Sequence, residues 1–264
     1  MAEAVIVIPA RYGSQRFPGK PLVALTGATG VARSLIRRSW DAAMAVEGVA
    51  GVWVATDDER IRAAAEAFGA RVAMTSTGAR NGTERVAEAL PAIAAELGRM
   101  PEVVVNLQGD APLTPPWFVP ALIGAMAPGV EMATPVLRCS PEALAMLRED
   151  RRHGRVGGTT AVFDAHGRAL YFSKEVLPFA ADPDAAVYHH VGVYAYTPAA
   201  LAAYAALPEG RLERLEGLEQ LRFLENGHRI RCVEVEARGR SFWEVNTPED
   251  VPRVEAVLQA EGIR

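Results

Sequence analysis

Residues 5–22 read VIVIPARYGSQRFPGKPL, and an open α/β sheet follows from them. The first four residues, 5–8, form an unbroken β-branched run, the pattern of a strand buried on both faces. A loop rich in glycine and basic residues follows at once, with Gly13, Ser14 and Gly19 set among Arg11, Arg16 and Lys20. Open α/β sheets hold their ligands at the carboxyl ends of strands. Glycines let backbone N–H groups approach an anion closely, and three cations neutralise a polyphosphate. The spacing is neither G-x-G-x-x-G nor a P-loop.

Working outward, apolar runs alternate with helical patterns. Strands are expected at 52–55, 71–74 and 103–107, and amphipathic helices at 31–44, 57–68 and 83–97, the last capped by Asn81 or Thr83. This order predicts an α/β chain with a doubly wound, mostly parallel sheet and helices on both faces. The second half is more mixed. Strands are expected at 132–137, 159–163, 170–172, 191–196 and 230–236, with a hairpin turning at 164–168. They read as an antiparallel lobe inserted into one compact unit. The charged, glycine-rich stretch 148–158 reads as a mobile loop. Residues 248–260 read as a closing helix, with Thr247 as cap and Pro248 in the first turn.

The chain has 264 residues, half of them apolar and 23% charged, which suits an ordinary globular protein and excludes disordered, coiled-coil and collagen-like chains. Its net charge of −4 gives no general field for nucleic acid. Cys139 and Cys232 make neither a disulfide framework nor a four-ligand zinc site. No apolar run spans a bilayer, and the first residues lack the positive charge of a signal peptide, so a cytoplasmic protein without membrane insertion is expected. Lysine stands only at Lys20 and Lys174 in an arginine-rich chain, which marks both as places where a compact point charge was kept.

A second motif is VVVNLQGDAPL, residues 103–113. A strand ends there in Gln108, Gly109 and Asp110, and a carboxylate at that place suits Mg²⁺ over bound phosphates. A third, GTERVAE at 82–88, opens a helix whose N-terminus suits a phosphate or a nucleobase edge. Five histidines are present. His153, His166 and His228 read as bystanders, and no pair has metal spacing. Glu213, Glu216, Glu219 and Glu225 fit a solvated helix face, with only LEQLR arguing for more. Trp40, Phe68 and Trp243 read as packing residues.

Together the motifs resemble the sugar-acid cytidylyltransferases of the CMP-Kdo synthetase (3-deoxy-manno-octulosonate cytidylyltransferase) family. The likeness runs in order through VATDDERI at 54–61, GTERVAE, VNLQGDAPL, ALYFSK at 169–174, HVGVYAY at 190–196, LEGLEQLRFLENG at 215–227 and VNTPEDV at 245–251. The resemblance implies a nucleotide-diphospho-sugar transferase fold. A nucleotide-binding half would occupy about 1–130, a sugar-binding and dimerisation lobe about 131–245, and the closing helix about 246–264. It implies transfer of CMP from CTP to the anomeric hydroxyl of a 3-deoxy-2-keto sugar acid (Kdo), with release of pyrophosphate, by a Mg²⁺-dependent homodimer. Arg11, Gly13, Ser14, Arg16, Lys20, Gly82 and Thr83 would hold the nucleotide, with Lys20, Arg11 and Asp110 catalytic. Gln108, His190, Tyr194, Glu219 and Gln220 would meet the sugar acid, and Asp110 and Asn246 the metal. The resemblance further implies a place in either lipopolysaccharide or capsule synthesis.

The departures from the family pattern cluster on the metal and sugar sides. Asn246 replaces the aspartate of VDTPED, the expected second metal carboxylate, and Glu244 two residues back is a poor substitute on the same face. Ala111 replaces a glutamate, RVGGTT at 155–160 replaces NPN-x-VK, Ala79 and Asn81 replace His and Ser, and Lys174 replaces an arginine. With the nucleotide loop intact, the asymmetry suggests a modified Kdo or another ulosonic acid as acceptor, or a weakened nucleotide-binding paralogue.

Overall fold

The structure, a computed structural model, describes residues 3–14, 16–156, 158–179 and 186–264. Strands β1 (Ala4–Ala10), β4 (Gly51–Thr56), β5 (Arg71–Met74) and β6 (Val103–Leu107) form the parallel half of a ten-stranded sheet. β1 lies between β4 and β6, with Ile6 beside Val52 and Val105. Along β1, Ile6 and Ile8 enter one core while Val5 and Val7 enter the other, and all four are fully buried. This is the two-sided burial that the β-branched run predicts.

Helices cover both faces. α1 (Leu35–Met44), α2 (Glu59–Ala67) and α4 (Phe118–Ala125) pack their apolar residues on one side. On the other lie α3 (Gly82–Leu97), α6 (Pro198–Ala206) and the short α8 (Leu221–Glu225). Caps set their starts: Asp58 accepts from the Arg60 N–H at 2.9 Å and Asn81 from the Glu84 N–H at 2.9 Å.

The remaining strands are β7 (Met132–Arg138), β8 (Thr159–Phe163), β9 (Ala169–Ser173), β10 (Tyr188–His190), β11 (Val193–Tyr196) and β12 (Ile230–Glu234). They form no sheet of their own. They extend the same sheet in the order β5-β4-β1-β6-β11-β7-β10-β8-β9, with β12 on β7. β11, β10 and β9 run against the other strands. A third core, of Leu25, Leu35, Leu113, Val245, Val254 and Leu258, seats the closing helix α9 (Asp250–Ala260).

Several local expectations need correction. The helix expected from residue 31 begins at Leu35, because Ser34 caps it and Ala32–Ser34 pair as β3 with β2 (Ala24–Thr26). The expected strand 191–196 divides at Val191 and Gly192, where the chain changes neighbours from β8 to β6. The loop expected at 148–158 is helical through Arg152, as the end of α5 (Pro141–Arg152), with Gly157 outside the described residues. There Ser140 caps the helix, Pro141 starts it, and Leu144 and Leu147 bury one face. Thr247 does not cap α9. Asp250 instead accepts from the Asn246 N–H at 2.9 Å and the Thr247 N–H at 2.8 Å, folding 246–250 into a turn before the helix. Among the described residues the remaining elements are the six-residue helix α7 (Arg211–Glu216) and a 3-10 turn at Lys20–Leu22.

Candidate active site

The carboxyl ends of β1 and β6 open into a cleft of about 1900 Å³. β11 begins at the same edge, since Val193 pairs with Leu107. Parallel strands thus deliver Arg11, Gly13, Ser14, Arg16 and Lys20, and Gln108, Gly109 and Asp110, to one rim, and the antiparallel strand adds Gly192 and Tyr194.

The first loop closes on itself. Gly19 has φ of +72°, a left-handed conformation, and its N–H donates to the Tyr12 carbonyl at 2.9 Å. A Cβ there would lie 3.1 Å from the Tyr12 ring. The chain then turns so that Lys20 Nζ donates to Asp110 Oδ2 at 2.6 Å. Arg16 Nη2 donates to Asn246 Oδ1 at 3.1 Å, and Arg11 Nη1 to the Arg80 carbonyl at 3.3 Å. The three loop cations are therefore gathered on one rim, and two of them already hold the two residues expected to bind metal.

Gly109 is required by close approach, because a Cβ would stand 2.6 Å from the Pro9 carbonyl oxygen. Gly82 packs on the Gln108 amide, 3.0 Å from the position of an added Cβ. Among the described residues an added Cβ at Gly13 would meet nothing within 4 Å. Ser14 lines the cleft and its Oγ accepts from the Phe17 N–H at 3.4 Å.

Thr83 stands apart from the other expected nucleotide contacts. It is fully buried and outside the cleft lining, its hydroxyl 3.0 Å from that of Tyr196. Its part is structural: the Thr83 N–H donates to Glu219 Oε2 at 3.2 Å. Gln108 Nε2 donates to the other Glu219 oxygen at 3.2 Å. Burial pushes the Glu219 carboxyl up to about 7, against the pull of the Thr83 hydrogen bond.

The remaining sugar-side residues form a chain of hydrogen bonds within the cleft wall. Tyr194 OH donates to Gln220 Oε1 at 3.2 Å, and Gln220 Nε2 lies 3.5 Å from His190 Nδ1. His190 Nε2 is 2.9 Å from Thr134 Oγ1. Burial, helped by neighbouring His189, holds the His190 imidazole down near 3, so it is neutral at neutral pH. With the Thr134 hydroxyl donating to the Val193 carbonyl at 2.9 Å, the imidazole proton belongs on Nε2, and Nδ1 faces the Gln220 amide. His190, Tyr194 and Gln220 are each at most 5% exposed, so His190 and Tyr194 fix the amide more than they present themselves.

The glutamates of 213–225 are not a solvated face. Arg222, 1% exposed, donates from Nη2 to Glu213 Oε1 at 2.6 Å and from Nη1 to Glu84 Oε1 at 2.7 Å, and stacks over Tyr204. Burial opposes ionisation of Glu84, but the Arg80 and Arg222 hydrogen bonds prevail and hold its carboxyl down at about 2. Glu216 accepts from Ser173 Oγ at 2.6 Å and from the Lys174 N–H at 2.9 Å, while Glu225 accepts from the Leu212 and Glu213 N–H groups. This network ties α8, and with it Glu219 and Gln220, to the start of α3. Asn81 joins it by donating to Tyr204 OH at 2.8 Å.

Sequence reading undervalues Glu244. It lines the cleft, and burial together with the Asp110 carboxylate pushes its carboxyl up to about 7. The alternation of Glu244, Val245 and Asn246 holds this signal, but only where the segment is extended. Trp243 donates from Nε1 to Asp250 Oδ1 at 3.0 Å and packs against the third core.

Glu219 offers a pH test. A carboxyl raised from 4.5 to about 7 in the folded chain costs stability as pH rises. That part of the stability is complete below pH 4.5 and is lost as pH passes through 7, on the order of 3 kcal/mol in all. Glu219→Gln is expected to melt several degrees above the parent at pH 8 and to match it near pH 4.5. A difference in Tm that does not change with pH would refute this.

A family model described as "Cytidylyltransferase" matches residues 5–230. Similar proteins include a 3-deoxy-manno-octulosonate cytidylyltransferase of Maricaulis maris, 46% identical over 97% of both chains. Another of that name, from an Anaeromyxobacter species, is 47% identical over 98% of both. An 8-amino-3,8-dideoxy-manno-octulosonate cytidylyltransferase of Shewanella baltica is 42% identical over 97% of this chain and 98% of its own. A solved structure of a CMP:2-keto-3-deoxy-manno-octonic acid synthetase complexed with CTP superposes with a TM-score of 0.82, at 36% identity, over 98% of this chain and all of its own.

Proposed function

The chain belongs to the cytidylyltransferase family and is a nucleotidyltransferase; from that premise we propose that it moves CMP from CTP to the anomeric hydroxyl of a 3-deoxy-2-keto sugar acid, Kdo, and releases pyrophosphate. The observation that carries this reading is the shared rim. Lys20, Arg16 and Arg11 are gathered there beside Asp110 and Asn246, in a chain 36% identical to a synthetase solved with CTP.

In this reading Arg11, Arg16 and Lys20 receive the triphosphate, with Gly13, Ser14 and Gly82 alongside. Such a transfer needs positioning and charge neutralisation more than covalent help from the protein. The anomeric oxygen bonds to the α-phosphorus, the bond from that phosphorus to the β-phosphate bridge breaks, and the hydroxyl proton passes to solvent water. Lys20 neutralises charge on the α-phosphate and the departing pyrophosphate. Gln108, Glu219 and Gln220 hold the sugar acid. His190 positions Gln220 and takes no proton, since both its nitrogens are engaged.

The residues present fit Mg²⁺. Asp110 and Asn246 offer the hard oxygen donors it prefers, and the two carboxyls of Asp110 and Glu244 repel each other in one cleft. When bound, the ion supplies Lewis-acid stabilisation of phosphate charge and lowers the pKa of the attacking hydroxyl. The reading extends to a cytoplasmic homodimer. Exposed Leu170 and Leu215, on β9 and α7, support a paired state, which sedimentation at the mass of one chain would exclude. Among the described residues no helix is long and apolar enough to cross a membrane.

A second acceptor is tested in parallel. Glu219 gives the cleft a carboxyl able to meet an ammonium group, and a relative is named for the 8-amino sugar acid. The test is pyrophosphate release with CTP, Mg²⁺ and either Kdo or its 8-amino analogue, with ATP, GTP and UTP as controls. Release with CTP and Kdo is expected. Release with the amino sugar alone would reassign the acceptor, and CTP binding with no release from either would overturn the reading.

A further inference from the structure

Asn246 leaves Asp110 as the one carboxylate of the expected pair. Mg²⁺ is ordinarily held by one or two carboxylates together with phosphate oxygens. An amide donates an oxygen but no charge, and the Asn246 oxygen already accepts from Arg16 at 3.1 Å.

The segment beside Asp110 has its facing settled by two contacts. The Val245 N–H donates to the Asp110 carbonyl at 2.9 Å. The Val245 side chain is fully buried in the third core, against Val254 and Leu258. Residues on either side of an extended residue face the other way. Glu244 and Asn246 are accordingly both turned into the cleft that Asp110 lines. Room for the glutamate comes from Gly192, where an added Cβ would lie 3.1 Å from Glu244 Oε1. This is the break between β10 and β11, at the level of Gln108.

We infer that Glu244 is the second carboxylate of the divalent-cation site, doing from position 244 what the family aspartate does from position 246. The inference rests on the Mg²⁺ reading above. It assigns Asn246 to holding Arg16.

The test uses Mn²⁺ as probe, read by the electron paramagnetic resonance of the free ion, with CTP present and no acceptor. Loss of a residue that merely supports a bound metal costs roughly 10–100-fold in affinity, and a direct ligand should cost no less. Glu244→Gln is expected to weaken Mn²⁺ at least about tenfold. Glu244→Asp keeps the charge but withdraws it by one methylene, and is expected to weaken Mn²⁺ comparably. Asn246→Asp added to Glu244→Gln should restore binding. Each variant should still bind CTP in EDTA, measured by calorimetry, and keep the parent's far-UV circular dichroism, which shows the fold and the nucleotide loop intact. Mn²⁺ affinity unchanged in Glu244→Gln would overturn the inference while leaving the Mg²⁺ reading in place. Full affinity in Glu244→Asp would reduce Glu244 to a source of field and overturn it too. A parent chain that binds CTP but no Mn²⁺ would overturn both.

Discussion

Lys20→Met lowers kcat/KM for CTP by about 10²–10³-fold, the loss expected when one preorganised donor to developing charge is removed, about 3–4 kcal/mol. Lys20 is one of two lysines in the chain, and its ammonium is held 2.6 Å from Asp110 at the mouth of the cleft. Methionine keeps an unbranched apolar stem of similar length, so packing beside Pro21 suffers little and the charge is what is lost. The Asp110 partner remains about a quarter exposed, so water can solvate it in the variant and the fold should hold. Lys20→Arg separates charge from shape: a planar fork keeps the charge but not the compact ammonium. It is expected to fall between the two. Steady-state kinetics on both variants give the answer, and a Lys20→Met enzyme within threefold of the parent would remove Lys20 from the machinery.

Asp110→Asn has effects of opposite sign on two measurements. Turnover with Mg²⁺ falls by about 10³-fold, because the carboxylate expected to hold the ion over the phosphates is gone, a matter of several kcal/mol. Binding of CTP without metal becomes tighter. The Lys20–Asp110 pair must break before Lys20 can reach a phosphate, and a partly exposed pair is worth up to about 1 kcal/mol, or about fivefold. Removing the anion also removes its repulsion of the triphosphate. Calorimetry in EDTA reads the gain and kinetics in Mg²⁺ the loss. Weaker CTP binding in EDTA would mean that Asp110 orders the loop instead of competing for Lys20.

Much of the fold and of the site is legible in the amino-acid sequence wherever the signal is local. The run at residues 5–8 implies burial on both sides, and Ile6 and Val5 indeed enter different cores. Asn81 as a cap follows from its place ahead of an apolar helical pattern, and it accepts from the Glu84 N–H. Where a second element competes, local reading fails. Residues 31–34 suit a helix as well as a strand, and pairing with β2 decides for the strand. Thr247 is a sound cap by type, yet the Asp250 carboxylate takes the two N–H groups at the turn. The glutamates of 213–225 read as a solvent face because their partners, Arg222, Ser173 and the N–H groups of α7, meet them only once the helices are packed.

The alternation of strands and helices, the basic glycine loop at the end of the first strand and Asp110 at the end of another are written in local stretches of residues. Each depends on side-chain period and turn chemistry within a few residues. Long-range packing settled which of these meet. Lys20 reaches Asp110 across 90 positions and Arg16 reaches Asn246 across 230. It also decided that Glu244 faces the cleft. That facing follows from Val245 being bonded to the Asp110 carbonyl and buried against the closing helix. A side chain's direction in an extended segment alternates with every residue, so it is fixed by which neighbour the backbone pairs with, and that neighbour lies far away in the chain.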